Sequence, residues 1–132
     1  MNSLEFLERK VHFVGIGGTG MRGLAEVVLS YGCPVTGSDQ HPSEGTLRLS
    51  RLGAKVWYRH ARENVDVDVG CVVHTAAAGP DNPELAEARR LGIPVLKYAE
   101  MLGLLMRLKK GICVSGTHGK STTSAMTAWI ML

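Results

Sequence analysis

The apolar residues of this chain alternate between short runs rich in β-branched side chains and stretches in which they recur every three or four positions. The short runs predict six strands, at residues 11–14, 35–37, 54–58, 70–74, 94–97 and 112–114. The helical spacing predicts a helix between most of these strands. Strands that alternate with helices through short links form parallel sheets covered on both faces. The pattern therefore predicts an α/β protein with a Rossmann-like, doubly wound, mainly parallel sheet of about five strands and helices on both faces.

Turn residues mark where the predicted helices begin and end. Glycine follows three of the helical patterns and predicts their ends: Gly32, Gly53 and Gly92. Residues 81–84, Asp-Asn-Pro-Glu, predict a helix start, because a capping side chain precedes a proline and an acid in the first turn. In the helix that ends at Gly53, Leu47 and Leu52 are expected to face the core. A further helix is predicted from Tyr98, with its apolar positions up to Met106 and its end at the basic residues Arg107, Lys109 and Lys110.

The best candidate for a domain boundary is Lys109-Lys110-Gly111. Residues 1–109 are predicted to form the Rossmann-like domain. Residues 110–132, with the sixth strand and a helix from Lys120 onward, are predicted to be the truncated start of a second domain. The sequence stops inside an apolar helical pattern that has no cap, so we expect an excised fragment.

Composition and charge exclude several classes of protein. The net charge of +3 is small, and the basic residues are scattered along the chain. Both features argue against nucleic acid as a partner. Three widely spaced cysteines predict reduced, buried thiols rather than a zinc site or a disulfide framework: Cys33, Cys71 and Cys113. The N-terminus lacks the layout of a signal peptide, and no apolar stretch reaches the roughly 20 residues that span a bilayer. We therefore expect a cytoplasmic protein without membrane insertion.

A glycine loop follows the first predicted strand and opens the first predicted helix. Residues 15–20, Gly-Ile-Gly-Gly-Thr-Gly, fit the G-x-G-x-x-G pattern that lets backbone amides approach a pyrophosphate at a helix N-terminus. The alternative is a glycine turn that serves packing alone. Asp39 ends the second strand, where dinucleotide-binding folds place the acid that accepts a ribose hydroxyl. An ordinary turn or cap residue is the equally open alternative for Asp39.

A second candidate phosphate loop lies between the sixth strand and the last helix. Residues 116–122, Gly-Thr-His-Gly-Lys-Ser-Thr, resemble a P-loop in which Lys120 suits the β- and γ-phosphates and Ser121 suits Mg²⁺. A strict Walker A motif has glycine where this chain has Val114. Together the two loops imply two phosphorylated ligands, as in an enzyme that uses ATP to activate a nucleotide-linked substrate.

Several segments, in this order, resemble the Mur ligases. They are Gly-Ile-Gly-Gly-Thr-Gly-Met (15–21), Gly-Ser-Asp (37–39), Asp-Asn-Pro-Glu (81–84), Gly-Ile-Pro-Val (92–95), Ala-Glu-Met-Leu (99–102) and Gly-Thr-His-Gly-Lys-Ser-Thr-Thr (116–123). The likeness covers nearly the whole chain and accounts for the missing Walker glycine. It is greatest to the members that join L-alanine to UDP-N-acetylmuramate in peptidoglycan synthesis.

The resemblance implies an ATP-dependent, amide-forming ligase of three domains, with ATP and Mg²⁺ as cofactors and UDP-N-acetylmuramate and L-alanine as substrates. This chain would hold the UDP-sugar domain and the first strand and helix of the P-loop ATPase domain. It would be inactive without the remaining ligase domains in cis.

The resemblance also implies roles for individual residues. The UDP diphosphate would face the glycine loop: Gly17, Gly18, Thr19 and Gly20. Other UDP-sugar candidates are Ser38, Asp39, His60, Thr75 and Ala76. ATP would face the second loop: Gly116, Thr117, His118, Gly119, Lys120, Ser121 and Thr122. Catalytic roles would fall to Lys120 and Ser121, with Ser121 also binding Mg²⁺.

Some positions and functions keep alternatives. His60 is as readily an ordinary loop histidine, and Thr75-Ala76 departs from the serines that the family more often has there. Arg22 either reinforces phosphate binding or is solvated, and we favour a solvated side chain. The other functions are a non-catalytic, nucleotide-sensing Rossmann module and a murein-peptide-recycling ligase. Gly17 and Gly20 argue against the recycling ligases.

Overall fold

The computed structural model describes residues 5–108 of the chain. Five strands form one sheet: β1 (Lys10–Val14), β2 (Val35–Ser38), β3 (Lys55–Trp57), β4 (Val69–His74) and β5 (Val95–Lys97). Four helices accompany them: α1 (Thr19–Ser30), α2 (Glu44–Arg51), α3 (Pro83–Arg90) and α4 (Tyr98–Met106). Two short 3₁₀ turns lie at Glu5–Glu8 and Arg62–Asn64. The five strands and four helices predicted for this part of the chain are confirmed.

The sheet is parallel throughout and has the strand order β3-β2-β1-β4-β5. The chain moves from β1 outward to β3, then returns to the other side of β1 with β4. The order therefore reverses between β1 and β4. In open α/β sheets the loops that follow the strands diverge at such a reversal, and the crevice they leave at the carboxyl ends is where ligands bind.

Side chains that alternate along the central strands build a core on each face of the sheet. Val11 and Phe13 of β1 point to the face that α1 and α4 cover, where Met101 is fully buried. Val14 of β1 and Val72 of β4 belong to the opposite face, which α3 covers with residues such as Leu85 and Ala88. The expectation of helices on both faces is therefore confirmed.

The prediction for the inward face of α2 is wrong. Leu47 and Leu52 are 46% and 50% exposed, whereas Thr46 and Leu49 are fully buried. Positions 47 and 52 are five residues apart, so at 3.6 residues per turn they point in different directions. The helix starts at a capping box in which the hydroxyl of Ser43 accepts from the Thr46 amide and the Thr46 hydroxyl accepts from the Ser43 amide. That start puts positions 46 and 49 on the inward face.

The helix boundaries follow the turn residues. Gly32, Gly53 and Gly92 have φ angles of +80°, +108° and +71°, which glycine adopts without strain. Asn82 caps α3 with Oδ1, which accepts from the amides of Glu84 and Leu85, and Pro83 is the first helical residue. Both features were predicted from residues 81–84.

The expected burial of Cys33 and Cys71 is confirmed. Burial raises the pKa of Cys33, and it raises the pKa of Cys71 to about 12. Within residues 5–108, no helix is both long enough and apolar enough to cross a bilayer. The predictions for Cys113, the 109–111 boundary, the sixth strand, the second loop and the last helix lie outside the described residues.

Candidate functional site

A cleft of about 510 Å³ opens at the carboxyl ends of β1, β2, β3 and β4. Its walls come from the loops that follow these strands and from the segment before α3: Val14, Gly15, Asp39, Gln40, His41, His60, Thr75, Ala77, Ala78, Gly79, Asp81 and Asn82. A smaller pocket of about 420 Å³ lies at the start of α1, lined by Gly18, Thr19, Gly20, Met21, Thr75, Ala76 and Tyr98. Thr75 lines both, so the two pockets are neighbours at the reversal of the strand order.

The glycine loop is held against the end of β2 by hydrogen bonds. The amides of Gly15 and Ile16 both donate to the carbonyl of Ser38, at 2.9 and 3.0 Å. The amide of Gly17 donates to Oδ2 of Asp39 at 2.7 Å, and that of Gly18 donates to the carbonyl of Gly15 at 3.2 Å. The first four amides of the loop are therefore occupied within the protein.

The amides of the first turn of α1 are the available donors. Within the described part of the chain, nothing accepts a hydrogen bond from the amides of Thr19, Gly20 or Met21. The residue that precedes the helix is Gly18, which has no side chain to cap it. Because three N–H groups and the positive end of the helix dipole converge there, this turn suits an anion such as a phosphate. Of the residues predicted to face the diphosphate, Gly17 and Gly18 use their amides within the protein, whereas those of Thr19 and Gly20 are available.

Asp39 accepts a hydrogen bond with each carboxylate oxygen, and one of the two holds the glycine loop. While Oδ2 accepts from Gly17, Oδ1 accepts from the amide of Gln40 at 2.8 Å. A Cβ atom on Gly17 would lie 2.6 Å from Oδ2, so only glycine lets the carboxylate approach this closely. Asp39 also lines the cleft, but its predicted contact with a ribose hydroxyl stays a prediction.

The third glycine of the pattern gives room to an aromatic ring. A Cβ atom on Gly20 would lie 2.8 to 2.9 Å from the ring and hydroxyl of Tyr98, the first residue of α4. Tyr98 therefore lies against the first turn of α1 and lines the smaller pocket. The sequence alone predicts Tyr98 only as part of a helix, because seventy-eight positions separate it from Gly20.

Behind the cleft is a buried polar network centred on Glu84, which is fully buried on α3. Its Oε1 accepts from Nδ2 of Asn64 at 2.8 Å and lies 3.1 Å from Nε2 of His12. Its Oε2 accepts from the hydroxyl of Ser38 at 2.7 Å and lies 3.1 Å from Nδ1 of His60. His12 is fully buried as well, and its Nδ1 lies 2.8 Å from the hydroxyl of Thr36.

The network keeps Glu84 ionised. Burial raises the pKa of this carboxyl, but the hydrogen bonds from His12, Ser38 and Asn64 and the nearby imidazole charge outweigh it, so the pKa lies below its ordinary value. Sequence reasoning missed Glu84 and treated it only as an acid near the helix dipole. Its partners Ser38 and His12 are 46 and 72 positions away, so no local pattern could have identified it.

The predicted UDP-sugar residues meet at one edge of the sheet. Ser38 is buried beneath the cleft, and its hydroxyl lies 2.9 Å from Nδ1 of His60. The side chain of His60 is 23% exposed and forms part of the cleft wall. Thr75 and Ala76 line the smaller pocket, and Thr75 lies 3.1 Å from a Cβ atom built on Gly15. Their contacts with a ligand stay predictions.

Arg22 is half-buried, so the interpretation of a solvated side chain holds only in part. Its Nε is buried and has no hydrogen-bond partner among the described residues. A Cβ atom on Gly45 would lie 2.1 Å from Cδ of Arg22, so the arginine side chain runs across that glycine of α2. Because position 45 has no side chain, the Arg22 side chain fits between α1 and α2.

The sequence predicts metal and triphosphate binding for residues beyond this part of the chain. Within residues 5–108 there is no group of three histidine, cysteine or acidic side chains that could hold a metal ion. The residues predicted for ATP and Mg²⁺, which run from Gly116 to Thr122, lie outside the described residues. The described site therefore offers amides, hydroxyls and imidazoles to an anionic organic ligand.

Residues 10–110 match the model of the Mur ligase family, catalytic domain. The chain is 52% identical over 124 residues to the UDP-N-acetylmuramate–L-alanine ligase of Pelotomaculum thermopropionicum. The matched region covers 94% of this chain and 27% of that protein. It is 53% identical over 122 residues to the ligase of the same name from Geobacter sulfurreducens, over 92% of this chain and 26% of that protein. The chain thus spans about 27% of the length of the curated relatives that it matches.

Solved structures agree with this assignment. The UDP-N-acetylmuramate-alanine ligase MurC from Thermotoga maritima superposes with a TM-score of 0.85 at 38% identity, over 93% of this chain and 29% of that one. A UDP-N-acetylmuramate:L-alanyl-gamma-D-glutamyl-meso-diaminopimelate ligase from Neisseria meningitides has a TM-score of 0.83 at 28% identity, over 93% and 39%. The two folds are equally close to this one, whereas the sequence is closer to the alanine ligase.

Proposed function

This chain belongs to the Mur ligase family, and on that premise we propose that it binds UDP-N-acetylmuramate in the cleft at the carboxyl edge of its sheet. It would be the substrate-binding portion of an ATP-dependent ligase that joins L-alanine to that sugar nucleotide. The observation that carries the proposal is the uncapped first turn of α1, with three available amides at the reversal of the strand order. A diphosphate is the part of the ligand that this turn suits.

The dimensions and polarity of the cleft support a nucleotide. Two adjoining pockets of about 510 and 420 Å³ meet at Thr75, and ligand pockets in proteins commonly have volumes of roughly 300 to 1,000 Å³. The diphosphate would lie at the start of α1, with the uridine in the larger cleft near Ser38, Asp39 and His60. This arrangement keeps the predicted residues but assigns the diphosphate to the amides of Thr19, Gly20 and Met21.

The activity of the whole ligase is part of the same proposal. ATP and Mg²⁺ would bind at Gly116–Thr122, with Lys120 at the phosphates and Ser121 at the metal. ATP would supply the phosphoryl group that activates the sugar's carboxylate. Because the 132 residues match only about 27% of the curated relatives, we expect these residues alone to bind the sugar nucleotide without ligating it.

Proline at the first position of α1 tests the proposal. Thr19→Pro removes one available amide, while proline is well tolerated at the first residue of a helix. The preceding Gly18 has φ −63° and ψ 146°, a conformation that proline allows before it. Losing one hydrogen bond to a charged ligand should weaken UDP-N-acetylmuramate binding by roughly 10- to 100-fold in calorimetric titration.

Glu44→Pro is the matched control, because it changes the same position of α2 behind an extended Ser43. It should leave the affinity unchanged. Equal affinities for the wild type and both variants would contradict the proposal. Tighter binding of NAD than of UDP-N-acetylmuramate would favour a different nucleotide site.

The recycling ligases remain the second candidate, because the Neisseria structure fits almost as well as the alanine ligase. Sequence identities of 52–53% to alanine ligases against 28% to that structure favour the alanine ligase. Assaying L-alanine against a murein tripeptide as acceptor, in a protein that includes the remaining ligase domains, separates the two.

A further inference from the structure

The smaller pocket at the start of α1 has one wall that a different helix supplies. Besides the first turn of α1 and Thr75-Ala76, the pocket is lined by Tyr98, the first residue of α4. Neither lysine nor arginine is among the described residues that line this pocket or the larger cleft. Among these residues, an anion in the smaller pocket would therefore depend on neutral hydrogen-bond donors, and Tyr98 has one in its phenolic O–H.

The packing of α4 holds Tyr98 at this wall. Positions 98, 101 and 105 lie on one face of a helix, and Met101 and Leu105 are buried in the core that α1 and α4 share. Tyr98 packs against the same core and is half-buried. Its ring is therefore fixed by the core on one side and reaches the pocket on the other.

The hydroxyl of Tyr98 lies beside the first turn of α1. A Cβ atom on Gly20 would be 2.9 Å from this oxygen and 2.8 Å from two carbons of the ring. In an α-helix the Cα–Cβ bond tilts towards the helix N-terminus. The tip of Tyr98 therefore lies on the N-terminal side of Gly20, which is also the side of the available amides of α1.

The Tyr98 hydroxyl has no partner in the part of the protein that the structure describes. No hydrogen bond joins it to a described residue. A phenylalanine would fill the space beside Gly20 equally well, so packing does not account for the oxygen. A phenolic O–H beside three available amides can donate to the same phosphate, because an ionised phosphate accepts several hydrogen bonds at once.

The arrangement of the two pockets indicates which phosphate Tyr98 would meet. Thr75 lines both pockets, whereas Tyr98 lines the smaller one and is not among the residues that line the larger cleft. With the uridine in the larger cleft, the first phosphate would lie near Thr75. The second phosphate would lie farther into the smaller pocket, towards Tyr98.

We propose that Tyr98 is a substrate-binding residue whose hydroxyl donates a hydrogen bond to the second phosphate of UDP-N-acetylmuramate. The proposal rests on the proposed function, since it needs a diphosphate in the smaller pocket. Tyr98 adds a donor from α4 to the amides of α1, so one phosphate would be held by two helices that are far apart in the sequence.

Tyr98→Phe tests the proposal, because it removes the oxygen and keeps the ring. Calorimetric titration of the 132-residue chain compares UMP, UDP and UDP-N-acetylmuramate as ligands. We expect the variant to bind UDP and UDP-N-acetylmuramate roughly tenfold more weakly, as for the loss of one hydrogen bond to a charged group. The affinity for UMP, which lacks the second phosphate, should stay as in the wild type.

Tyr31→Phe is the matched control. Tyr31 is the cap at the C-terminal end of the same helix, about 18 Å from Thr19 at 1.5 Å per residue. This variant should bind all three ligands as the wild type does. Tyr98→Phe should also unfold at the same urea concentration as the wild type, because the ring still packs against Gly20. A drop in stability without a change in affinity would show a merely structural hydroxyl and would overturn the proposal.

The three ligands separate the possible contacts of Tyr98. Equal affinities of the wild type and Tyr98→Phe for UDP overturn the role of Tyr98 and leave the proposed function intact. An equal loss for UMP and UDP would put the contact at the first phosphate, and a loss confined to UDP-N-acetylmuramate would put it at the sugar. Either result overturns the assignment to the second phosphate. Failure of the wild type to bind UDP-N-acetylmuramate overturns both proposals.

Discussion

Helices α1 and α3 both start at the carboxyl edge of the sheet, but only α3 satisfies its own first turn. Asn82 caps α3 with two hydrogen bonds, and the next acid, Glu84, fills the buried network with its side chain. Helix α1 follows Gly18, which offers no cap, and its first three amides have no partner among the described residues. The difference separates a helix start that stabilises the fold from one that is open to a ligand.

The largest expected effect comes from Glu84→Ala, which breaks the buried network at the start of α3. The substitution removes the acceptor for His12, Ser38 and Asn64 and leaves their polar atoms buried without it. We expect a loss of about 3–5 kcal/mol in the free energy of unfolding, as for other broken buried pairs. Urea denaturation followed by circular dichroism measures it.

Glu87→Ala is the control, because that side chain pairs with the exposed guanidinium of Arg90 and not with the buried network, and it should change stability little. Glu84 also makes the stability of the folded protein depend on pH. Because the pKa of Glu84 is lowered in the folded state, its contribution is present above the ordinary glutamate pKa and is lost as the pH falls through the lowered value. Wild-type protein should therefore lose stability in acid more steeply than Glu84→Ala does. Equal slopes would contradict the ionised state of Glu84.

The second largest effect is expected for Gly18→Asp, which gives the uncapped start of α1 a capping side chain. The φ and ψ angles of Gly18 suit any residue, and a Cβ atom there would meet its neighbours at ordinary distances of 3.5 Å or more. An aspartate would cap α1 and add a negative charge to the proposed diphosphate site. We expect UDP-N-acetylmuramate to bind roughly thirtyfold more weakly, which corresponds to about 2 kcal/mol.

The same variant should unfold at an equal or slightly higher urea concentration, since a cap in place of glycine adds a few tenths of a kcal/mol. Weaker binding together with retained stability would separate function from folding at this turn. Gly18→Ala, which adds a side chain without an acceptor, controls for the loss of glycine. Unchanged affinity in Gly18→Asp would show that the first turn of α1 does not hold the ligand.

The smallest effect is expected for Asn82→Ala, which removes the side chain that caps α3. The amides of Glu84 and Leu85 lose their acceptor, so we expect a loss of about 1 kcal/mol in the free energy of unfolding. Thermal denaturation measures the change. Asn82→Asp is the control, because aspartate caps a helix as well as asparagine does. A loss as large as that of Glu84→Ala would mean that the cap and the network form one cooperative unit.

Local patterns predicted the architecture well, because strands and helix ends are encoded locally. The β-branched runs and the glycines that end the helices are visible within a few residues of sequence. The inward face of α2 was mispredicted since Leu47 and Leu52 are apolar, whereas the capping box orients the helix by a polar contact between Ser43 and Thr46. Hydrophobicity alone could not reveal that orientation.

The site was predicted in outline but not in its hydrogen bonds. The glycine pattern correctly located the loop at the end of β1, yet the amide of Gly17 is occupied by Asp39, twenty-two residues away. The sequence pattern predicts a ribose hydroxyl, and not a backbone amide, as the partner of the Asp39 carboxylate. Glu84 and Tyr98 were missed because each meets its partners only through the topology of the sheet. Such long-range contacts leave no periodic signal in a single sequence.

The three glycines of the G-x-G-x-x-G pattern answer to three separate constraints. Gly15 has a φ angle of +81°, Gly17 admits the Asp39 carboxylate, and Gly20 makes space for the ring of Tyr98. These constraints differ in how evolution can relax them. A relative with alanine at position 20 is expected to compensate with a small residue at position 98, whereas no partner substitution relieves the backbone angle at position 15. Covariation between positions 20 and 98 would thus record the packing of two helices within what looks like a nucleotide-binding signature.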